Sequence, residues 1–248
     1  MIGIILAAGS GRRLKINKPK GLLNIGDRTL IEYSLSNLKK AGINSVFIVT
    51  GFGHEQYEDF FKDNDGHWPL EIYLIHNPEW AACGSGYSLQ VVLEEIEDGE
   101  DVVILDSDIL YNAEEFINFI KRKESNAILA TNVPEGRHDA CYIQTDIGNN
   151  LVKISKNLNE LTVKDDDITW EYIGITKCSS KSVKETLKYF KDLTKTTSSI
   201  DHEYDYAFQT LSSKFKVVKY KDYIWGEADD NEQLHFMVTN VYPKISLY

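Results

Sequence analysis

The chain opens on an unbroken apolar run, residues 2–8 (IGIILAA), bounded by glycine and serine. A short continuous run of this kind predicts a strand buried on both faces of a parallel sheet. Helical spacing follows over 29–41, where Leu30, Ile31, Ser34, Leu35 and Leu38 share a face and Gly42 stands just past the end. Strands are predicted at 45–50 (SVFIVT), 71–76 (EIYLIH), 101–105 (DVVIL) and 127–131. Helices are predicted at 54–63, 87–96 and 113–123. Alternation of this kind predicts an α/β fold with a mostly parallel sheet covered by helices. Beyond about residue 135 the pattern changes. Short strands at 141–145 and 151–155 flank a turn-forming segment, Asp146 to Asn150. A strand is expected around 172–175 and another at 215–220, with helices at 182–191, 204–211 and 231–240. The acidic run at 165–167 reads as a solvated loop.

No Pro-, Gly- or Ser-rich linker divides the 248 residues. One domain over 1–248 is expected, with a small antiparallel insertion. Apolar residues make up 42%, enough for a sizeable core, and the net charge is −11. A surface this acidic argues against a nucleic-acid partner. Any anionic ligand must meet a local basic pocket or a metal ion instead. No apolar stretch reaches membrane length, and the opening run has no basic flank, so no membrane or signal segment is expected. Cys83, Cys141 and Cys178 are odd in number and widely spaced, which predicts a reduced, cytoplasmic setting. The six histidines show no metal-ligand spacing, and no G-x-S-x-G elbow is present.

The first strand runs into Gly9-Ser10-Gly11-Arg12-Arg13-Leu14, then Lys18-Pro19-Lys20. A dinucleotide fingerprint needs glycine where Leu14 stands, and a P-loop needs Gly-Lys-Ser/Thr. A third reading is a loop whose backbone N–H groups cradle a triphosphate, with Arg13 and Lys20 adding charge-assisted contacts, and its plain alternative is a tight β-turn with incidental basic residues. Asp106-Ser107-Asp108 follows a predicted strand directly. Carboxylates at that sheet edge suit a Mg²⁺ ion, which takes one or two of them plus substrate phosphates. The alternative for this pair is an acidic loop or helix cap.

Leu6-Ala7-Ala8-Gly9-x-Gly11-x-Arg13 with Pro19-Lys20 resembles the signature of the sugar-phosphate nucleotidylyltransferase superfamily. Arg12 stands where that family usually has Thr. Asn77-Pro78-Glu79-Trp80 leading to Gly84-Ser85-Gly86-Tyr87-Ser88-Leu89 resembles the cytidylyltransferases acting on phosphocholine, inositol phosphate or phosphonates. Ser85 replaces their usual Asn. The Gly-Thr-Ala segment of UDP- or dTDP-sugar enzymes and the Gly-Pro-Leu segment of molybdopterin guanylyltransferases are both missing.

The resemblance implies a Rossmann-like mixed sheet of the GT-A-like kind, with a nucleotide-binding half over 1–135 and an acceptor-binding half over 136–248. It implies CMP transfer from CTP to a small phosphorylated or phosphonate acceptor, with Mg²⁺ as cofactor. Arg13 and Lys20 take the catalytic positions. Leu6, Ala7, Ala8, Gly9, Gly11, Arg12, Gly84, Ser85, Ser88 and Asp106 fall at the nucleotide. Tyr87, Lys156, Glu171 and Gly174 fall at the acceptor. Asp108 and Asp229 fall at the metal, Asp229 within Glu227-Ala228-Asp229, whose plain alternative is N-capping of the last helix. Gly174 is expected to allow close approach of substrate. Trp170, Tyr172, Tyr204 and Trp225 are candidate acceptor walls, although aromatics at such spacings more often fill a core. Asp201, Glu203 and Asp205 are candidates for a cationic amine. A UTP- or dTTP-dependent enzyme, a glycosyltransferase using Asp106 and Asp108, and a non-catalytic nucleotide sensor are the competing readings.

Overall fold

The structure, a computed structural model, describes residues 1–63, 68–133, 139–162, 169–197 and 199–245. Ile2–Ala7 forms the strand β1. Ile4 and Leu6 pack into one hydrophobic cluster and Ile5 and Ala7 into another. The run is apolar throughout because helices cover both faces of this strand.

Further strands, in chain order, are Asn24–Ile25 (β2), Arg28–Thr29 (β3), Ser45–Thr50 (β4), Glu71–His76 (β5), Val102–Asp106 (β6), Ile109–Tyr111 (β7), Ala127–Asn132 (β8), Tyr142–Thr145 (β9), Leu151–Ser155 (β10), Trp170–Cys178 (β11), Lys216–Lys219 (β12) and Trp225–Glu227 (β13). The helices are Leu30–Lys40 (α1), His54–Asp63 (α2), Ser85–Glu95 (α3), Ala113–Ile120 (α4), Ser180–Thr197 (α5), Asp205–Thr210 (α6), Asn231–Phe236 (α7) and Tyr242–Ile245 (α8).

The central sheet is mixed. Its path runs β10-β9-β11-β6-β1-β4-β5, with β8 joined to β11 and β12. β1 pairs in parallel with β4 and β6, and β4 with β5. β11 runs antiparallel to β6, β8 and β9. From β1 the chain builds outward through β4 and β5, then returns to place β6 on the opposite side of β1. Strand order therefore reverses beside β1, and such a reversal opens a crevice at the carboxyl ends of the strands. The loops after β1 and β6 both leave the sheet there.

Local chemistry explains the element ends. The Thr29 hydroxyl accepts from the Glu32 amide while Glu32 reaches back to the Thr29 amide, a reciprocal cap at the start of α1. Gly42, at φ 87°, ends that helix in the left-handed region. The hairpin of β9 and β10 is not set apart but extends the central sheet through β11. α5 runs past the expected 191 to Thr197. Its last turns are held by threonine hydroxyls bonded back to Phe190, Asp192 and Leu193, which the apolar pattern does not register. The last expected helix divides into α7, a π turn over Met237–Val241, and α8. The acidic run at 165–167 lies outside the described residues. No helix among the described residues is long and apolar enough to cross a membrane.

One backbone feature sets the sheet edge. Gly174 in β11 has φ 77°, and a Cβ there would lie 2.3 Å from Asp106 Oδ2. The glycine makes room for a carboxylate of the protein itself, at a position where the pairing of β11 with β8 shifts register. Gly174→Ala is expected to cost about 1–3 kcal/mol from backbone strain alone. In thermal denaturation the midpoint should fall by roughly 5 °C, and an unchanged midpoint would contradict this account.

Candidate active site

The loop after β1 is shaped by Gly11, at φ 57°, which starts a single 3₁₀ turn over Arg12–Leu14. Leu14 is buried and anchors the turn. A Cβ on Gly11 would lie 3.0 Å from Cγ of Lys20, so the loop packs directly on the lysine stem. A Cβ on Gly9 would meet nothing within 4 Å. The protein's own packing does not require glycine there.

β6 ends at Asp106, one residue later than the pattern predicts, and Asp108 follows in the turn to β7. The late acidic segment reaches this turn through β13, which pairs with β7 and sets Glu227 opposite Ile109. The Ala228 amide then donates to the Asp108 carbonyl at 2.9 Å. Asp230 caps α7, accepting from the amides of Glu232 and Gln233. That frees its neighbour Asp229 to face the loop after β1. The capping and cation-facing roles are thus divided between adjacent residues.

Lys20 joins these pieces. Its ammonium donates to Asp108 Oδ2 at 2.7 Å and also to Asp229 Oδ1. Arg13 donates to the other oxygen of Asp229. The Lys20 side chain is 15% exposed and that of Arg13 62%, so solvent screens the second contact far more. Burial works against the Lys20 ammonium, but the charges of Asp108 and Asp229 outweigh it and raise its pKa. Burial likewise opposes ionisation of Asp229, and Lys20 and Arg13 overcome it, leaving the carboxyl below its usual range.

Asp106 has a different environment. Burial and the nearby Asp108 charge push its pKa well up. The Tyr204 hydroxyl donates to both its oxygens, at 3.0 and 3.1 Å. Tyr204 also lies 2.8 Å from the Tyr172 hydroxyl, which lies 2.8 Å from Thr176 Oγ1. Each hydroxyl carries one proton, so the relay runs from Thr176 through Tyr172 and Tyr204 to Asp106.

All of this borders one cavity of about 570 Å³. Arg13 and Lys20 reach it, as do the nucleotide candidates Leu6, Ala8, Gly9, Gly11, Gly84, Ser85, Ser88 and Asp106. The acceptor candidates Lys156, Glu171 and Gly174 line it too, as do Asp108 and Asp229. Three candidates are not brought to the wall. Ala7 points to the opposite face of β1 from Leu6, into the core beneath α1. Arg12 is exposed on the outside of the 3₁₀ turn. Tyr87 sits on a side of α3 turned away from Ser88, because neighbours on a helix diverge by about 100°. Of the four aromatic candidates, Tyr172 and Tyr204 border the cavity. Trp225 is buried in the core, and Trp170 carries the Lys219 ammonium 5.1 Å from its ring centre.

Sequence reasoning gave no site role to Trp80, Cys83, Ser107, Asp139, Cys141 or Glu227, which also line the wall. Glu227 was findable, since it stands two residues before Asp229 at the end of an extended segment. The Asn77-Pro78 motif acquires a structural role. Asn77 is fully buried, donates to Ser88 Oγ at 2.9 Å and accepts from the Glu79 amide, bracing the approach to α3. Ser85 opens α3 and ties it to the acceptor side, donating to Glu203 and accepting from the Tyr204 amide at 3.0 Å. The Gly84 and Gly86 amides donate to the Ile200 and His202 carbonyls.

The sequence profile of the MobA-like NTP transferase domain matches residues 3–165. The chain belongs to this family. The matched stretch contains the loop after β1, the edge of β6 and the start of α3. The late segment carrying Asp201, Glu203, Asp205 and Asp229 lies beyond the matched stretch. A choline-phosphate cytidylyltransferase of Streptococcus pneumoniae is 37% identical over 111 residues, a stretch covering 44% of each chain. A CTP:phosphoglutamine cytidylyltransferase of Campylobacter jejuni is 24% identical over 250 residues, covering 93% of this chain and 94% of that one. Among solved structures, an inositol-1-phosphate CTP transferase from T. maritima superposes with a TM-score of 0.78 at 18% identity, over 99% of this chain and 96% of the other.

Ser85→Ala removes the two side-chain contacts from α3 to Glu203 and Tyr204 and leaves the Gly84 and Gly86 backbone bonds to the 200–204 segment in place. The Tyr204 amide is expected to lose protection by about 1–3 kcal/mol, the cost of an unpaired buried donor. Hydrogen exchange at Tyr204 should speed up correspondingly, and unchanged exchange would show that the segment is held elsewhere.

Proposed function

We propose that this nucleotidyltransferase moves CMP from CTP to a small phosphorylated or phosphonate acceptor, releasing pyrophosphate and a CDP-activated product. The observation that carries the reading is the convergence of Lys20 and Arg13 with Asp108 and Asp229 in one cavity between a glycine-bearing loop and an acidic half. The cytidylyl donor is supported by the names of the relatives, which span phosphocholine, phosphoglutamine and inositol-phosphate acceptors.

In this reading an acceptor oxygen attacks the α-phosphorus in line. A new P–O bond forms as the bond to the bridging oxygen breaks, and pyrophosphate carries off the electron pair. Repulsion between two anions is the main obstacle, and positioning with charge neutralisation is the remedy. Arg13 and Lys20 transfer their contacts from Asp229 and Asp108 to donor phosphates, while Lys156 holds the acceptor anion. Asp108 and Asp229 would hold Mg²⁺. Both reach a single ammonium, so their oxygens lie within about two hydrogen-bond lengths of each other, ~6 Å, and carboxylate oxygens are the ligands this ion prefers. When bound, the ion neutralises phosphate charge. Cys83, Cys141 and Cys178 are free thiols, which supports a reducing, cytoplasmic setting.

The acceptor half supports one finer point. Asp201, Glu203 and Asp205 border the same cavity as Lys156, and Glu203 and Asp205 act on its charge. Partial burial disfavours the Lys156 ammonium, yet Glu203, Cys141, Asp205 and Asp229 leave its pKa raised. Asp205 Oδ1 is buried without a hydrogen-bond partner among the described residues. This surface favours an acceptor that carries a cationic amine besides its phosphate or phosphonate.

Asp108→Asn and Lys20→Ala should each lower turnover by about 10²–10³-fold, the scale seen when one charge-stabilising group is lost, while each variant still folds by circular dichroism. Pyrophosphate release with CTP, UTP, ATP, GTP and dTTP tests the donor. Faster release with UTP or dTTP than with CTP would sink the cytidylyl assignment. Amine-bearing acceptors should outperform polyol phosphates, and Asp205→Asn should raise KM for the former by about tenfold or more. Equal KM values for both classes would remove the amine preference.

A further inference from the structure

The Lys20 ammonium occupies the point toward which Asp108 and Asp229 converge, and this has a consequence for the order of binding. Two carboxylates, Asp108 and Asp229, face two cations, Lys20 and Arg13. The group is charge-balanced without any metal. A divalent ion arriving alone has to displace the ammonium from both carboxylates, and it offers that ammonium no new partner in exchange.

We propose that Lys20 keeps the carboxylate pair closed to a free divalent cation until a nucleotide triphosphate enters the cavity. The triphosphate supplies the missing partner. It draws the ammonium onto its own oxygens, leaves Asp108 and Asp229 uncompensated, and so creates the metal site as it binds. The metal then enters with, or after, the nucleotide.

The backbone permits only a side-chain movement for this exchange. Pro19 abuts Gly53, where a Cβ would come 2.5 Å from the proline ring. Gly21 abuts Tyr57 and Ser107, where a Cβ would lie 2.6 Å from the tyrosine hydroxyl. The Leu22 and Leu23 amides donate to the Pro19 and Lys20 carbonyls, closing the turn around the lysine. The residue is fixed at its Cα on both sides, so its head group swings by χ rotation along the stem that packs on Gly11. No lid or domain movement is required.

The inference rests on Asp108 and Asp229 as the metal ligands, and the experiment separates the two claims. Mn²⁺ binding to the full chain is measured by electron paramagnetic resonance, with and without α,β-methylene-CTP, in wild type, K20M, D108N and the K20M/D108N double variant. Nucleotide-free wild type should bind Mn²⁺ weakly. K20M should bind it at least tenfold more tightly without nucleotide, and this gain should vanish in K20M/D108N. The analogue should tighten Mn²⁺ binding to wild type and change K20M much less. Circular dichroism checks that each variant is folded, and K20Q substitutes if K20M is not. Equal Mn²⁺ affinity of nucleotide-free wild type and K20M overturns the proposal. So does a gain in K20M that survives the second substitution. Full Mn²⁺ affinity of D108N with the analogue would instead remove the metal-ligand assignment on which the proposal stands.

Discussion

A single ammonium holds three stretches of chain against one another. Lys20 follows β1, Asp108 follows β6, and Asp229 follows β13 near the far end of the sequence, and all three meet at one nitrogen. Without that cation the two carboxylates repel. At an effective dielectric constant near 20, unit charges 4 Å apart interact by about 4 kcal/mol. The pairing is not a net gain of that size, because taking ions partly out of water costs a comparable amount. Its effect is on geometry: the carboxylates are held close only while something positive stands between them. An ammonium meets that condition in the free protein, and a metal ion with phosphates meets it in the proposed reaction.

The sheet makes this meeting possible, since reversal of strand order beside β1 puts two loop ends in one crevice. The third partner comes by a local device, the two-strand pairing of β7 with β13. Precision of this kind needs backbone hydrogen bonds on both sides of the site, because a shift of one residue would turn Asp229 away. Asp230 contributes by taking over the helix cap, leaving Asp229 without a competing local role.

Much of this was legible in the sequence, for identifiable reasons. Buried strands such as 2–7 announce themselves because both faces demand apolar residues. The loop after β1 announces itself because two glycines and several basic residues directly follow a buried strand. What escaped was chemistry that depends on who faces whom. Ala7 and Leu6 are equally apolar, and only the pleat decides which one lines the cavity. Trp225 reads as a wall candidate until the core claims it. Gly174 reads as room for a substrate, yet the space is taken by Asp106. The short strands β7 and β13 carry no periodic signal at three residues each, although they bring the late acidic segment to Asp108.

A net charge of −11 disfavours polyphosphate ligands such as the proposed CTP. The structure resolves this by scale. Screening limits the reach of surface charge to about 8 Å at physiological ionic strength, so a ligand inside the cavity responds to its lining rather than to the total. On the β1 side that lining holds Lys20 and Arg13, paired with Asp108 and Asp229. On the other side it is acidic, around Asp201, Glu203 and Asp205. Once Lys20 and Arg13 turn from Asp108 and Asp229 to a bound anion, as in the proposed reaction, the two ends of the cavity differ in sign and orient a ligand pair with a matching separation of charge. An acidic protein can then draw an anion to one end while its acidic residues act, at the other, on the cationic part of a second ligand.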